Sequence, residues 1–84
     1  MNNMNNQIRE DLQKIFLKTF QNLKENDFDF QKPRIDFENW DSLTHMQLVS
    51  ELESFFKISF EMDEIVDINK PEDLAVLIEK KKNA

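Results

Sequence analysis

Along the chain, Ile8, Leu12, Ile15, Phe16, Thr19, Phe20 and Leu23 recur at steps of three and four residues. That spacing places one apolar stripe on a helix, and it predicts a first helix that fades near Asn26. Residues Met1 to Gln7 are polar and rich in Asn, so residues 1–6 are expected to be disordered. The helical period stops between Asp27 and Trp40, where Phe28, Phe30, Ile35 and Phe37 partly alternate with polar residues and Pro33 interrupts them. A strand there would have no partner, so the segment reads as a long ordered loop pinned to the core by its aromatics. A second helix is expected from Asp41 or Ser42, either of which can cap it, to about Lys57. A short helix follows around Met62 to Asp67. The last starts at Pro71, a residue suited to a first helical turn, and turns Leu74, Ala75, Leu77 and Ile78 inward. Residues 80–84 read as a frayed basic tail. The prediction is an all-α single domain over residues 1–84, with three longer helices, one short third helix and a long loop between helices 1 and 2.

The second helix carries the first functional signal. Unrolled at about 100° per residue, His45, Leu48, Val49, Leu52, Phe55 and Phe56 share one sector and form its core face. Leu43 and Met46 lie outside that sector, on the side of Ser42. Single exposed apolar residues are ordinary, but two beside a serine at a helix start read as a docking surface. His45 stands one turn from Ser42, with Asp41 adjacent. A serine hydrolase would need these three in relay order together with an oxyanion hole and a cleft. Neighbours on one helical turn do not make that relay, so His45 reads as a half-buried residue at the edge of the core and the chain as no enzyme.

Composition narrows the function classes. The 84 residues include no cysteine, no glycine, two prolines and a single histidine. Disulfides and thiolate metal sites are excluded, and no metal site is expected. Charge is unevenly placed: from Asp36 to Glu79, twelve acidic residues stand against Lys57 and Lys70, within a chain of net charge −6. Such a body repels nucleic acid and attracts basic protein surfaces. No apolar run approaches the length that spans a bilayer. No membrane insertion, a cytoplasmic location and a monomer are the expectations.

Asp41-Ser42-Leu43 resembles the Asp-Ser-Leu attachment motif of the acyl carrier protein family. Met46, Leu48, Val49, Leu52 and Phe56 follow in that family's apolar spacing, and Ile58, Phe60, Ile65, Ile68 and Leu74 continue it without a gap. Ile8, Leu12, Ile15, Phe16 and Phe20 match its first helix, so the resemblance runs from about Ile8 to Ile78. It implies a four-helix bundle of acyl-carrier type in which a phosphopantetheinyl transferase moves 4'-phosphopantetheine from coenzyme A to Ser42. The arm's thiol would then carry acyl groups as thioesters for lipid or specialised acyl-transfer biosynthesis. Partner enzymes with basic surfaces would dock on Asp41, Leu43, Met46, Gln47 and Glu53, and catalysis would be theirs. An acyl chain would withdraw among Leu48, Leu52, Phe60, Ile65 and Ile68. Three features depart from the family pattern. Asn39-Trp40 stands where a glycine is usual, with Asn the next best residue for a left-handed turn. Thr44 and Gln47 occupy usually acidic positions. Trp40 before Asp41 is similar to specialised carriers rather than housekeeping ones. The competing reading is an unmodified helical interaction module in which Ser42 is only a helix cap.

Overall fold

The computed structural model describes residues 3–83, and among them the secondary structure is wholly helical. Four α-helices, α1 (Asn3–Thr19), α2 (Ser42–Phe56), α3 (Met62–Val66) and α4 (Pro71–Lys82), are joined by loops, the first of which holds two short 3₁₀ turns (Glu25–Asp27 and Arg34–Asp36). The expected three longer helices, short third helix and long first loop are all present.

The apolar stripe of α1 organises the rest. Ile8, Leu12, Ile15 and Phe16 are buried, and α1 packs against both α2 and α4. Leu48, Leu52 and Phe56 from α2 meet Leu74, Ala75 and Ile78 from α4 in the same core. Burial of a side chain of this size contributes roughly 1.5–3 kcal/mol. Arg9 of α1 clasps Glu72 of α4 through both guanidinium nitrogens, with Nη2 2.9 Å from Oε2. The paired guanidinium holds the Glu72 carboxyl below the usual carboxylate range.

Helix boundaries differ from expectation at both ends of the chain. Helix α1 begins at Asn3, and extending a helix anchored at Ile8 and Leu12 needs no new nucleus. Met1 and Asn2 lie outside the described residues. At its other end α1 stops at Thr19, short of Asn26. The Phe20 N–H still bonds Phe16, but the chain then turns through a bond from Leu23 N–H to Phe20. That turn brings Leu23 back onto the core while Gln21 and Asn22 stay exposed. The basic tail is helical through Lys82, and Ala84 lies outside the described residues. Lys81 pairs with Glu64 at 2.9 Å, and Lys82 donates to the Phe56 carbonyl at 3.3 Å. Three lysines at a helix C-terminus also suit its negative dipole end.

The loop between α1 and α2 is pinned by rings, as expected, but not by all the predicted ones. Phe37 and Trp40 are buried with Phe16 and Phe20, and Phe28 and Phe30 pack on the margin of this cluster. Ile35 is instead 89% exposed, carried outward by the second 3₁₀ turn. Two backbone bonds fasten the loop to the far end of the bundle, Arg34 N–H to Asn69 and Glu72 N–H to Phe30. Asn39 is not left-handed; the positive φ falls on Lys57 (φ 58°, ψ 50°), which closes α2. Phe55 also departs from the predicted core face. It is 56% exposed and lies edge-on against Phe56, whose ring takes the inward place.

Phe16 is fully buried and touches the rings of Phe20, Phe28, Phe37 and Trp40. Phe16→Ala should therefore cost about 3–5 kcal/mol, while Phe55→Ala should cost less than about 1 kcal/mol. Urea unfolding of both variants checks this, and similar losses would mean that Phe55 is a core residue after all.

Candidate functional site

The start of α2 is built by Asp41 rather than by Ser42. Asp41 is in an extended conformation and its Oδ1 accepts the Thr44 N–H at 2.9 Å, the geometry of an N-cap. That bond holds the Asp41 carboxyl below its ordinary range. Ser42 is the first helical residue, it is exposed, and among the described residues its hydroxyl has no hydrogen-bond partner. The cap role that sequence alone allowed for Ser42 is thus filled by its neighbour. What remains is an unbonded hydroxyl at the N-terminal, positive end of a 15-residue helix with no acidic side chain in its first turn.

Directly before this cap, Trp40 is 5% exposed and enters the core. Its indole N–H donates to His45 Nδ1 at 2.8 Å, and His45 Nε2 lies 2.9 Å from the Ile65 carbonyl of α3. Indole N–H groups only donate and carbonyls only accept. His45 is therefore the neutral tautomer with its hydrogen on Nε2. Burial, joined by the charge of Arg34, pushes its pKa below the ordinary histidine value against the opposing Ile65 bond. At 4% exposure His45 is a core residue, not the half-buried edge residue expected. Both ring nitrogens are committed elsewhere, so neither is available to take a proton from Ser42. Arg34 closes the assembly from the loop: its Nε donates to the Trp40 carbonyl at 3.2 Å and its guanidinium lies 5.7 Å from the indole centroid.

The predicted docking residues divide. Leu43 is 72% and Met46 46% exposed, and Asp41 and Gln47 are also at the surface. Glu53 is half-buried and accepts the Phe60 N–H at 2.9 Å, so it helps fold the α2–α3 connection instead of standing free. Sequence reasoning missed Met62 and Val66 of α3, which are 69% and 65% exposed. Their signal was an i, i+4 apolar pair on a short helix whose inward residue is Ile65. It also missed Arg34, which no motif marks.

The predicted acyl pocket is closed. Leu48, Leu52, Ile65 and Ile68 are buried side chains of a packed interior, and Phe60 is partly buried against it. Ile68 alone borders an open groove, between α3 and α4, with Glu64, Asp67, Asn69, Asp73, Val76, Leu77 and Lys80. Among the described residues, no helix is long and apolar enough to cross a membrane. No protein-family model and no curated protein matches the chain.

The buried imidazole makes stability depend on pH. Unfolded, His45 takes up a proton near its ordinary value of 6.5, whereas the folded ring does so only at lower pH. Its contribution is therefore complete above that value and declines as pH falls toward the folded pKa. The His45→Gln variant lacks this term. The melting temperature of the parent minus that of the variant should fall between pH 7 and pH 5. A constant difference would mean that the histidine titrates alike in both states.

Proposed function

We propose that the chain is an acyl carrier protein, with 4'-phosphopantetheine attached through a phosphodiester to Ser42. The observation that carries this reading is the state of the Ser42 hydroxyl, exposed and unbonded while Asp41 performs the cap. A serine retained for capping would be hydrogen-bonded to the first turn. The site suits a phosphodiester in its chemistry. Backbone N–H groups and the dipole at the start of α2 favour an anion, and Arg34 adds a cation beside the Trp40 carbonyl. When bound, the arm would supply a terminal thiol that holds an acyl group as a thioester, a chemistry that a chain without cysteine has no residue to provide.

The protein's own residues then hold and present. Trp40, bonded to His45, and Asp41, bonded to Thr44, tie the backbone just before α2 to its first turn, so that Ser42 is offered to a phosphopantetheinyl transferase in one orientation. Leu43, Met46, Met62 and Val66 offer apolar contacts to partner enzymes. The acidic residues between Asp36 and Glu79 draw basic partners by long-range attraction and raise association rates. Individual exposed ion pairs contribute only about 0–1 kcal/mol, so recognition by charge is collective. Storage of an acyl chain between α2 and α3 requires the packed side chains of Leu48, Leu52, Phe60, Ile65 and Ile68 to part. Thr44, Gln47 and Trp40 favour a specialised acyl-transfer pathway over bulk fatty acid synthesis. The setting we propose is the cytoplasm, with the carrier a monomer between encounters.

Incubation with coenzyme A and a phosphopantetheinyl transferase should raise the intact mass by one arm. Ser42→Ala should abolish the gain. Because Ser42 is not the cap, the substitution should change stability by no more than about 0.5 kcal/mol. An unchanged parent mass would favour the unmodified interaction module. An arm on Thr44 or Ser50 would move the site.

A further inference from the structure

Trp40 and His45 are the single tryptophan and the single histidine of the chain, and the fold bonds one to the other. The resulting line of contacts crosses three elements. The Ile65 carbonyl of α3 meets His45 Nε2, and His45 Nδ1 meets the indole N–H of Trp40. Trp40 leads directly into the Asp41 cap and Ser42. On its other side the indole is wedged among Phe16, Phe20 and Phe37, with ring centroids 5.0–5.9 Å away.

This line tolerates only one protonation state. A proton on Nδ1 would turn that nitrogen into a donor facing the indole N–H, which can only donate. The buried cation would gain no carboxylate. Arg34 acts on the ring from the loop and is itself positive. Asp41, on the same helix, directs its carboxylate to Thr44 N–H and offers the histidine only a backbone carbonyl, which accepts the His45 N–H. From α3 the partner is the Ile65 carbonyl, and the α1 side chains that close on the indole, Phe16 and Phe20, carry no charge.

We propose that Trp40 and His45 are positioning residues for the reaction at Ser42: the neutral imidazole locks the Trp40–Ser42 segment to α2, and protonation at Nδ1 releases that segment, so that Ser42 is modified efficiently only with His45 neutral. This rests on the reading of Ser42 as the attachment residue, and it adds a pH-dependent control of that site. The contact with α3 persists in either state, because Nε2–H donates to the Ile65 carbonyl whether or not Nδ1 carries a proton.

The full chain supplies its own probes. Indole emission reports Trp40, the imidazole proton resonances report His45, and far-ultraviolet circular dichroism reports the helices. On acidification, emission and imidazole shift should change with one midpoint, below pH 6.5, while helix content holds. The rate of arm transfer, divided by that of His45→Gln at the same pH, should fall about tenfold per pH unit below this midpoint. Gln suits the control because its amide can accept from the indole and donate to the carbonyl without titrating. If that variant loses helix, Trp40→Phe replaces it, with an expected slow transfer that no longer responds to the midpoint. Emission that stays flat while the imidazole titrates would overturn the proposal, as would helix melting at the same midpoint or identical pH profiles in parent and variant. Absence of transfer at every pH would instead sink the reading of Ser42, and the shared midpoint would still decide the release.

Discussion

Trp40 brings a large ring into the core together with one polar atom, and that atom needs a partner before the ring can be buried. A buried amide or hydroxyl without a hydrogen bond costs on the order of 1–3 kcal/mol in proteins, and an indole N–H belongs to the same class. His45 provides the bond from α2, and its second nitrogen is satisfied in turn by α3. The rest of the site depends on this pairing. It fixes where the long loop ends, and therefore where Asp41 can cap and where Ser42 begins the helix. It also gives a five-residue helix, too short to hold its own shape in water, an anchor to its neighbour.

Around that point the molecule separates packed and exposed parts. The aromatic cluster, the Arg9–Glu72 clasp and the interlocked faces of α1, α2 and α4 form the packed part. The exposed part lies at the start of α2 and along α3, with Ser42, Leu43, Met46, Met62 and Val66. The carrier role proposed for the chain would need this division, since an attachment point has to be reached by several enzymes while the scaffold behind it stays unchanged. In that role the acidic surface would serve the same end, because attraction at a distance speeds encounter without making release slow.

Much of this was legible in the residue pattern. The stripe from Ile8 to Phe20 and the Leu48–Leu52–Phe56 spacing predicted helices whose buried faces are the observed ones, and Pro71 marked the start of α4. The misses have specific causes. Periodicity placed Phe55 and Phe56 together at the last turn of α2, where packing buries Phe56 and leaves Phe55 at the surface. Asp41 and Ser42 are both good caps, and what separates them is the Asp41 carboxylate reaching the Thr44 N–H while the Ser42 hydroxyl does not. His45 looked marginal because a polar residue on an apolar face carries no sign of whether partners exist; Trp40 and the Ile65 carbonyl arrive from other elements. Ile35 and Asn39 were misread because no period governs an irregular loop, and its bonds to Asn69 and from Glu72 join residues far apart in sequence.

The central claim is that this fold exists to offer the Ser42 hydroxyl for attachment, and the most direct test uses protein isolated from the cells that make it. Trypsin cleaving after Arg34 and Lys57 releases the peptide Ile35–Lys57, which contains Ser42 together with Thr44, Ser50 and Ser54. Fragmentation mass spectrometry of that peptide should find one phosphopantetheine on Ser42. Recovery of the peptide only in its unmodified form, under conditions where a known carrier from the same cells keeps its arm, would contradict the account.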